Sequence, residues 1–299
     1  MTSKYDNIFV QIPSYKDTQL SDTIESLLEN AYNPKRLNIH ICWQHDTSER
    51  LPTKITETKN INIIDIDYRE SKGANWARSI LQKKWNNEPY SFLVDPHTRF
   101  AKNWDKQLID MMLGLKKKNV NKPIISSLPP SFYNPAIYPL DRLNYPLKIY
   151  PKEYSFNLLV RFHGFALPLF KWLKSPIPAQ FIAMGFLFTE GYFNTEIPID
   201  PNIYFFGDDI TTALRAYCHG YDLFHPHRII AWHLYDRKTR TPHWDDHNNW
   251  MDLDKKSYER VHRILKGEDF DEYSNIGTER DVKSYEKYTG YKFILDEQD

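Results

Sequence analysis

The hexapeptide Phe92-Leu93-Val94-Asp95-Pro96-His97 carries the clearest chemistry in the chain. Phe92 to Val94 read as a buried strand, and in extended backbone residues i and i+2 point to one side. Asp95 and His97 therefore converge on one point. A carboxylate oxygen and a neutral imidazole nitrogen together suit a divalent cation of intermediate hardness, Mn²⁺ before Mg²⁺. Two protein ligands leave positions open for a diphosphate, and a cation on that diphosphate makes it a good leaving group.

A metal site needs a further ligand, and residues 203–237 offer one. The stretch RIIAW (228–232) reads as a strand that ends in His233, an imidazole placed like His97. His225, His227, His243 and His247 compete for the role. In the same region Gly207, Asp208 and Asp209 open the helix DDITTALRAYC. One acid suffices to cap a helix and meet its dipole. Two in tandem predict that one caps while the other faces a cavity and acts in catalysis. Asp209 is the stronger candidate for the cavity, because Asp208 directly follows Gly207 and is placed to start the helix. Finally, Arg69, Ser71, Lys72 and Gly73 precede another helix. Backbone N–H groups at a helix start, with two cations beside them, can hold a phosphate or a polar nucleotide edge.

The elements that must position these groups alternate. IFVQIPSY (8–15) reads as a strand broken at Pro13. Residues 17–31 read as a helix capped by Asp17, with Leu20, Ile24, Leu27 and Leu28 on one face. Strands follow at 37–44 and 61–67, a helix at 73–85, the strand YSFLVD, and a helix from Trp104. This is an α/β pattern: a mostly parallel sheet with helices on both faces. Ligands of such sheets bind beyond the carboxyl ends of the strands. Ser14, Tyr15, Gln44, Asp95 and His97 all fall there, so one crevice should hold them. No GxGxxG follows the first strand and no GxxxxGK[ST] occurs, which argues against a Rossmann dinucleotide fold and a P-loop NTPase.

Composition adds bounds. The 299 residues suffice for one elaborate domain or two small ones. Lys+Arg and Asp+Glu balance at 39 each, so no global field attracts nucleic acid or an anionic membrane. Aromatic residues reach 15%, with 20 Tyr and 8 Trp, which suits ring stacking on sugars or bases as well as core packing. Cys42 and Cys218 sit in apolar surroundings, as reduced thiols do. The opening MTSKYDN leads straight into a strand, with no signal peptide and no apolar run long enough to span a bilayer. The expected location is the cytoplasm.

These pieces occur together in one known family. From IFVQIPSYKDTQLSDTIESLLENAYNPKRLNIHICWQ, through RESKGANWAR and VDPHTRFAKNWD, to IPIDPNIYFFGDDITTALRAYCHGYDLFHPHRIIAWHLYDR and GTERDVKSYEKYTGYKF, the chain resembles the polypeptide (hydroxyproline) N-acetylglucosaminyltransferases and their bacterial and viral relatives. The resemblance implies a GT-A fold, a UDP-sugar donor, a divalent metal and a retaining transfer. It matches Asp95 and His97 to a metal-diphosphate motif, and His233 to a late metal ligand. Ser14, Tyr15, Lys16 and Asp17 match a turn beside the uridine. Arg69, Ser71 and Gly73 match a further donor-site segment, and Gly207, Asp208 and Asp209 match a Gly-Glu-Glu motif. Lys16 stands where the family has Arg, Pro96 where it has a small polar residue, and the aspartates are a methylene shorter than glutamates.

The resulting expectation is a metal-dependent retaining glycosyltransferase. It moves a sugar, N-acetylglucosamine first, from a UDP-sugar to a hydroxyl on protein, glycan or a modified nucleobase. Residues 1–126 form the nucleotide-sugar half and residues 127–299 the acceptor-binding half of one domain. The Pro- and Tyr-rich stretch 127–154 is expected to be a lid, and Tyr133, Tyr138 and Trp172 an acceptor wall. A metal-dependent nucleotidyltransferase and a non-catalytic nucleotide-sugar-binding module are the rival readings.

Overall fold

The computed structural model describes residues 6–155 and 159–293. Residues 1–5, where the expectation about a leader begins, lie outside the described residues. The first half follows the predicted alternation. Strands β1 (Ile8–Tyr15), β2 (Leu37–His45), β3 (Ile61–Asp67) and β4 (Tyr90–Val94) pair in parallel, in the order β4-β1-β2-β3. Between them run α1 (Leu20–Asn30), the single turn α2 (Thr53–Thr56) and α3 (Ala74–Gln82). Next come β5 (Thr98–Phe100), α4 (Trp104–Lys116) and β6 (Pro123–Ser126).

Helices cover both faces because the strands are apolar on both sides. Leu20, Ile24 and Leu27 of α1 share a core with Val10, Ile12, Ile39 and Trp104. Ala77 and Leu81 of α3 pack with Cys42 on the opposite face. Pro13 does not break β1: it stays in register with Cys42. Asn7 accepts from Tyr90 while Lys16 donates to Gln44, so odd-numbered backbone groups face β4 and even-numbered ones β2. Pairing with β4 ends at Gln11, so the donor that Pro13 lacks has no partner to miss.

The second half adds β7 (Ser131–Phe132), the hairpin β8 (Leu147–Tyr154) and β9 (Val160–Ala166), β10 (Ile177–Pro178) and β11 (Phe186–Glu190). After these come α5 (Phe193–Glu196), α6 (Asp208–Cys218), β12 (Asp222–His225), β13 (Ala231–Leu234), α7 (His243–Asp246), α8 (Trp250–Leu265) and α9 (Val282–Thr289). The main sheet has the order β10-β12-β6-β11-β4-β1-β2-β3, with strands from both sides of residue 126. β11 runs antiparallel between β4 and β6, so its first residue Phe186 lies beside Val94, the last of β4. A second, three-stranded sheet is β5-β13-β7. α6, α8 and α9 close the far core around Ile210, Val261 and Tyr285.

Two expectations change here. His233 lies in β13 (Ala231–Leu234), one residue before its end, where a strand starting at Arg228 and ending in His233 was expected. The 127–154 stretch is not a free excursion. β7 pairs with β13, and β8 pairs with β9, so the stretch is pinned into sheets at residues 131–132 and 147–154.

Candidate active site

Asp95, His97 and His233 converge, with one ligand atom from each within 4.8 Å of the others. Three backbone features bring them together. Asp95 follows β4 directly, and its N–H donates to Gly185 O at 3.1 Å. A Cβ on Gly185 would lie 2.5 Å from Asp95 Oδ2, so only glycine leaves room for the carboxylate. β13 pairs antiparallel with β5, setting His233 opposite Thr98, and Leu234 N–H donates to His97 O. His233 Nε2 then lies 3.2 Å from Asp95 Oδ2, and His97 Nε2 3.9 Å from the same oxygen.

The protonation states favour a cation. His97 Nδ1 lies 2.7 Å from Asp17 Oδ2. With the carboxylate accepting the Nδ1 proton, Nε2 presents a lone pair toward Asp95. Burial, and then the neighbouring His97, lower His233 to about 4, so it is neutral at pH 7. Burial pushes the Asp95 carboxyl up. The hydrogen bond from His233 and the positive charge of Arg78 outweigh it and hold Asp95 well below the usual carboxylate range. A carboxylate oxygen and two imidazole nitrogens in a buried pocket form a donor set that fits a divalent cation such as Mn²⁺ or Mg²⁺. Asp17 was expected to cap α1 and sit beside a base. Its Oδ1 does hold Gln19 N–H at 2.8 Å, while its other oxygen meets the His97 imidazole of the candidate cluster.

Among the rival histidines, His225 is committed to Ser126 O and Ile149 N–H, and neither it nor His227, His243 or His247 joins the cluster.

Arg78 is the site residue that the sequence reading missed. It is buried on α3, with Nη1 2.5 Å from Asp208 Oδ2 and Nη2 3.7 Å from Asp95 Oδ1. An arginine on the helix face that also carries Ala77 and Leu81 was the available signal. Asp208 also accepts from Asp209 N–H at 2.9 Å, whereas Asp209 Oδ1 accepts from Met184 N–H at 2.6 Å. Neither aspartate lines the cleft, which corrects the expected division into one cap and one cavity acid. Asp208, not Asp209, reaches the cleft, through Arg78. Burial pushes both carboxyls up. The Asp208 charge drives Asp209 further, to about 8, while Arg78 pulls both back.

The cleft has a volume of about 310 Å³. Tyr15, Asp17, Gln44, Ser71, Gly73, Asp95, His97 and His233 line it as one crevice. Gln44 donates to Ser14 O at 3.0 Å and accepts from Ser71 Oγ at 2.5 Å, tying the end of β2 to the turn before α3. Gly73 has φ +109°, and a Cβ there would meet Tyr204 at 2.9 Å. Ser14, Arg69 and Lys72 do not line the cleft. Side chains alternate along β1, so Tyr15 faces in and Ser14 is buried behind it. Arg69 is exposed and paired with Asp67 at 2.7 Å, and Lys72 is exposed.

The opposite wall comes from residues of which only His243 was weighed from the sequence, as a rival metal ligand. Tyr235, Arg237, Arg240, His243 and Trp244 line it, together with Tyr204 and Phe205. Tyr15 and Lys16 both bond Asp246, at 2.8 and 3.0 Å, and His243 Nδ1 meets Tyr204 OH at 2.8 Å. The density of Arg, Tyr, His and Trp after His233 was the visible cue. Tyr133, Tyr138 and Trp172 are not an inner wall. Tyr138 packs on Phe132 and Trp232, and Tyr133 and Trp172 are exposed. No residue of 127–154 lines the cleft.

A mixed sheet with helices on both faces, and a carboxylate–imidazole pair just past a central strand, define a GT-A-type fold. The family model described as Glycosyltransferase (GlcNAc) matches residues 7–58 and 49–290, and the chain belongs to that family. The crystal structure of GalNAc-T7 with UDP, GalNAc and Mn²⁺ is similar, with a TM-score of 0.61 and 18% identity over 96% of this chain. The match takes in 55% of that chain, so this protein spans about half its length. The structure of S. aureus TarS 1–349 matches with a TM-score of 0.47 and 10% identity, over 76% of this chain and 60% of that one. Comparison with curated protein sequences gives no match. Among the described residues no helix is long and apolar enough to cross a membrane.

Proposed function

We propose that the protein is a metal-dependent, retaining glycosyltransferase that uses a UDP-sugar, with UDP-N-acetylglucosamine the first candidate donor, and a hydroxyl acceptor. The observation that carries this reading is the convergence of Asp95, His97 and His233 in a cleft walled by aromatic and cationic side chains. These three residues would hold Mn²⁺, or Mg²⁺. When bound, the cation neutralises charge developing on the departing diphosphate. Tyr15, Gln44 and Ser71 form the nucleotide end of the cleft. Arg78 and Arg240, which also line the cleft, add positive charge to the diphosphate and sugar.

In the transfer, the bond from the sugar carbon to the diphosphate oxygen breaks and the acceptor oxygen bonds to that carbon. The acceptor proton passes to the departing phosphate oxygen. The two carboxylates that line the cleft, Asp17 and Asp95, are both engaged with imidazoles. Neither stands free as a nucleophile, which supports attack on the leaving-group face with retention. Asp208 then acts by holding Arg78, and Asp209 by fixing the Met184 backbone beside it. Residues 1–126 supply most of the donor half, and residues 127–299 the acceptor half together with the wall from Tyr235 to Trp244. The two buried free thiols support a reducing, cytoplasmic setting.

A panel of UDP-sugars, scored for UDP release with and without Mn²⁺, tests the reading. Release of UDP from one donor, dependent on the cation and retaining the anomeric configuration, is expected. Release of pyrophosphate from a nucleoside triphosphate instead, or no turnover with any UDP-sugar, would overturn it.

A further inference from the structure

We infer that the acceptor is an anionic glycan that leaves the cleft along an aromatic and cationic strip on the β8–β9 hairpin. The inference rests on the glycosyltransferase reading, and it names the acceptor class for that site. The strip starts inside the cleft. Trp244 and Phe205 line it and pack edge to face at 5.7 Å. Phe205 packs in turn on Phe206 at 5.0 Å, and Arg161 of β9 stands over the Phe206 ring at 4.9 Å. Side chains two apart share a face, so Arg161, His163 and Phe165 present one row over about 13 Å of strand. Across the hairpin, Tyr150 pairs with His163 and Lys148 with Phe165, completing the same face.

This face is built to be open. Tyr150 is 44% exposed and Phe165 50%, while Ile149 and Val160 on the reverse side are buried and Phe162 packs on Phe181. The hairpin is also anchored, because Ile149 N–H donates to His225 Nε2 at 3.1 Å on β12. It is a fixed platform rather than a loose arm.

Its charge selects the partner. Residues 147–174 carry Lys148, Lys152, Arg161, Lys171 and Lys174 against Glu153 alone, in a chain of zero formal net charge. Three cations stand over rings along the route: Lys148 on Tyr150 at 4.9 Å, Arg161 on Phe206, and Arg237 on Trp244 at 5.0 Å. Such pairs hold the cations in place to meet anions. A transferase acceptor must also bring hydroxyls. A glycan with carboxylate or phosphate groups has both, and its sugar faces suit exposed rings. A peptide would call for a sheet edge or side-chain pockets, whereas these rings lie on a sheet face.

Equilibrium binding without donor tests this by calorimetry. The probes are hexameric oligogalacturonate, its methyl ester, a phosphomannan fragment, the same mannan without phosphate, a twelve-nucleotide oligothymidylate, and an acidic serine-containing peptide. At least one anionic glycan should bind about tenfold tighter than its neutral counterpart, and more weakly at 200 than at 50 mM salt. Which one does so tells carboxylate from phosphate. The double variant Lys148→Gln/Arg161→Gln should lose about tenfold, and Tyr150→Ala/Phe165→Ala should weaken binding of the neutral form as well. Stabilisation by UDP with Mn²⁺ should not change in either variant. Equal binding of charged and neutral forms, tighter binding of the oligonucleotide or peptide, or wild-type affinity in both variants would overturn the inference. Failure of the donor reading registers separately, as absence of the UDP–Mn²⁺ shift in the wild type.

Discussion

Replacing Asp17 by Asn tests the proposed metal site through a residue that is not itself one of the proposed ligands. Asp17 uses both oxygens: Oδ1 holds Gln19 N–H at 2.8 Å and Oδ2 holds His97 Nδ1 at 2.7 Å. Asparagine has one oxygen and one NH₂, so it can accept at only one of these places. If its oxygen stays with Gln19, the NH₂ faces His97 Nδ1 and favours the tautomer with its proton on Nε2. That proton then points toward Asp95 Oδ2, where a cation would bind. If its oxygen stays with His97, two donors confront each other at Gln19. Either way the imidazole is mispositioned, and loss of such an orienting partner typically costs about 10–100-fold in metal affinity. The buried hydrogen bond also supports the fold, with a cost of about 1–3 kcal/mol when a buried group is left unpaired. The assay is calorimetric titration of Mn²⁺ into the UDP-bound protein, beside thermal melts with and without the metal. A Kd for Mn²⁺ within twofold of wild type would refute the reasoning, because His97 would then not need Asp17 to set its tautomer.

Four further outcomes follow from the same structure. Asp208→Asn should cut transfer by about a hundredfold with UDP and metal binding retained, because it weakens the hold on Arg78. Asp209→Asn should stay near wild type, because burial pushes that carboxyl up to about 8 and Asn mimics its neutral form; kinetics of the two variants side by side check both. Gly185→Ala would put a methyl 2.5 Å from Asp95 Oδ2, so Mn²⁺ affinity should fall about tenfold or more in the same titration. Finally, burial lowers His225 to about 4. Below pH 6.5 the unfolded chain takes up a proton there that the folded chain refuses, so its contribution to stability is lost as pH falls from 6.5 toward 4. His225→Gln should flatten denaturant-derived stability against pH in that window by up to about 1.4 kcal/mol per unit; an unchanged slope would count against it.

The sequence by itself determined the elements of the first half, α6 and one of the meeting points. Apolar runs of strand length, alternating with amphipathic helices, fixed β1 to β4 and α6 nearly to the residue, because that periodicity is local. That Asp95 and His97 meet was legible too, although the chain bends at Pro96 and His97 rather than running on extended. What only the tertiary structure decided was who faces whom across long sequence separations. Asp17 meets His97 because α1 folds back over β5. His233 reaches Asp95 because β13 pairs antiparallel with β5. Arg78 lies between Asp95 and Asp208 because α3 and the start of α6 meet at one end of the sheet. The tandem aspartates misled for a related reason: sequence order says which starts a helix, but not where the helix end is buried. Local spacing dictates which way a side chain leaves its own strand or helix. Its partner depends on the register and packing of segments far away in the chain, and those are set by burial of the whole core.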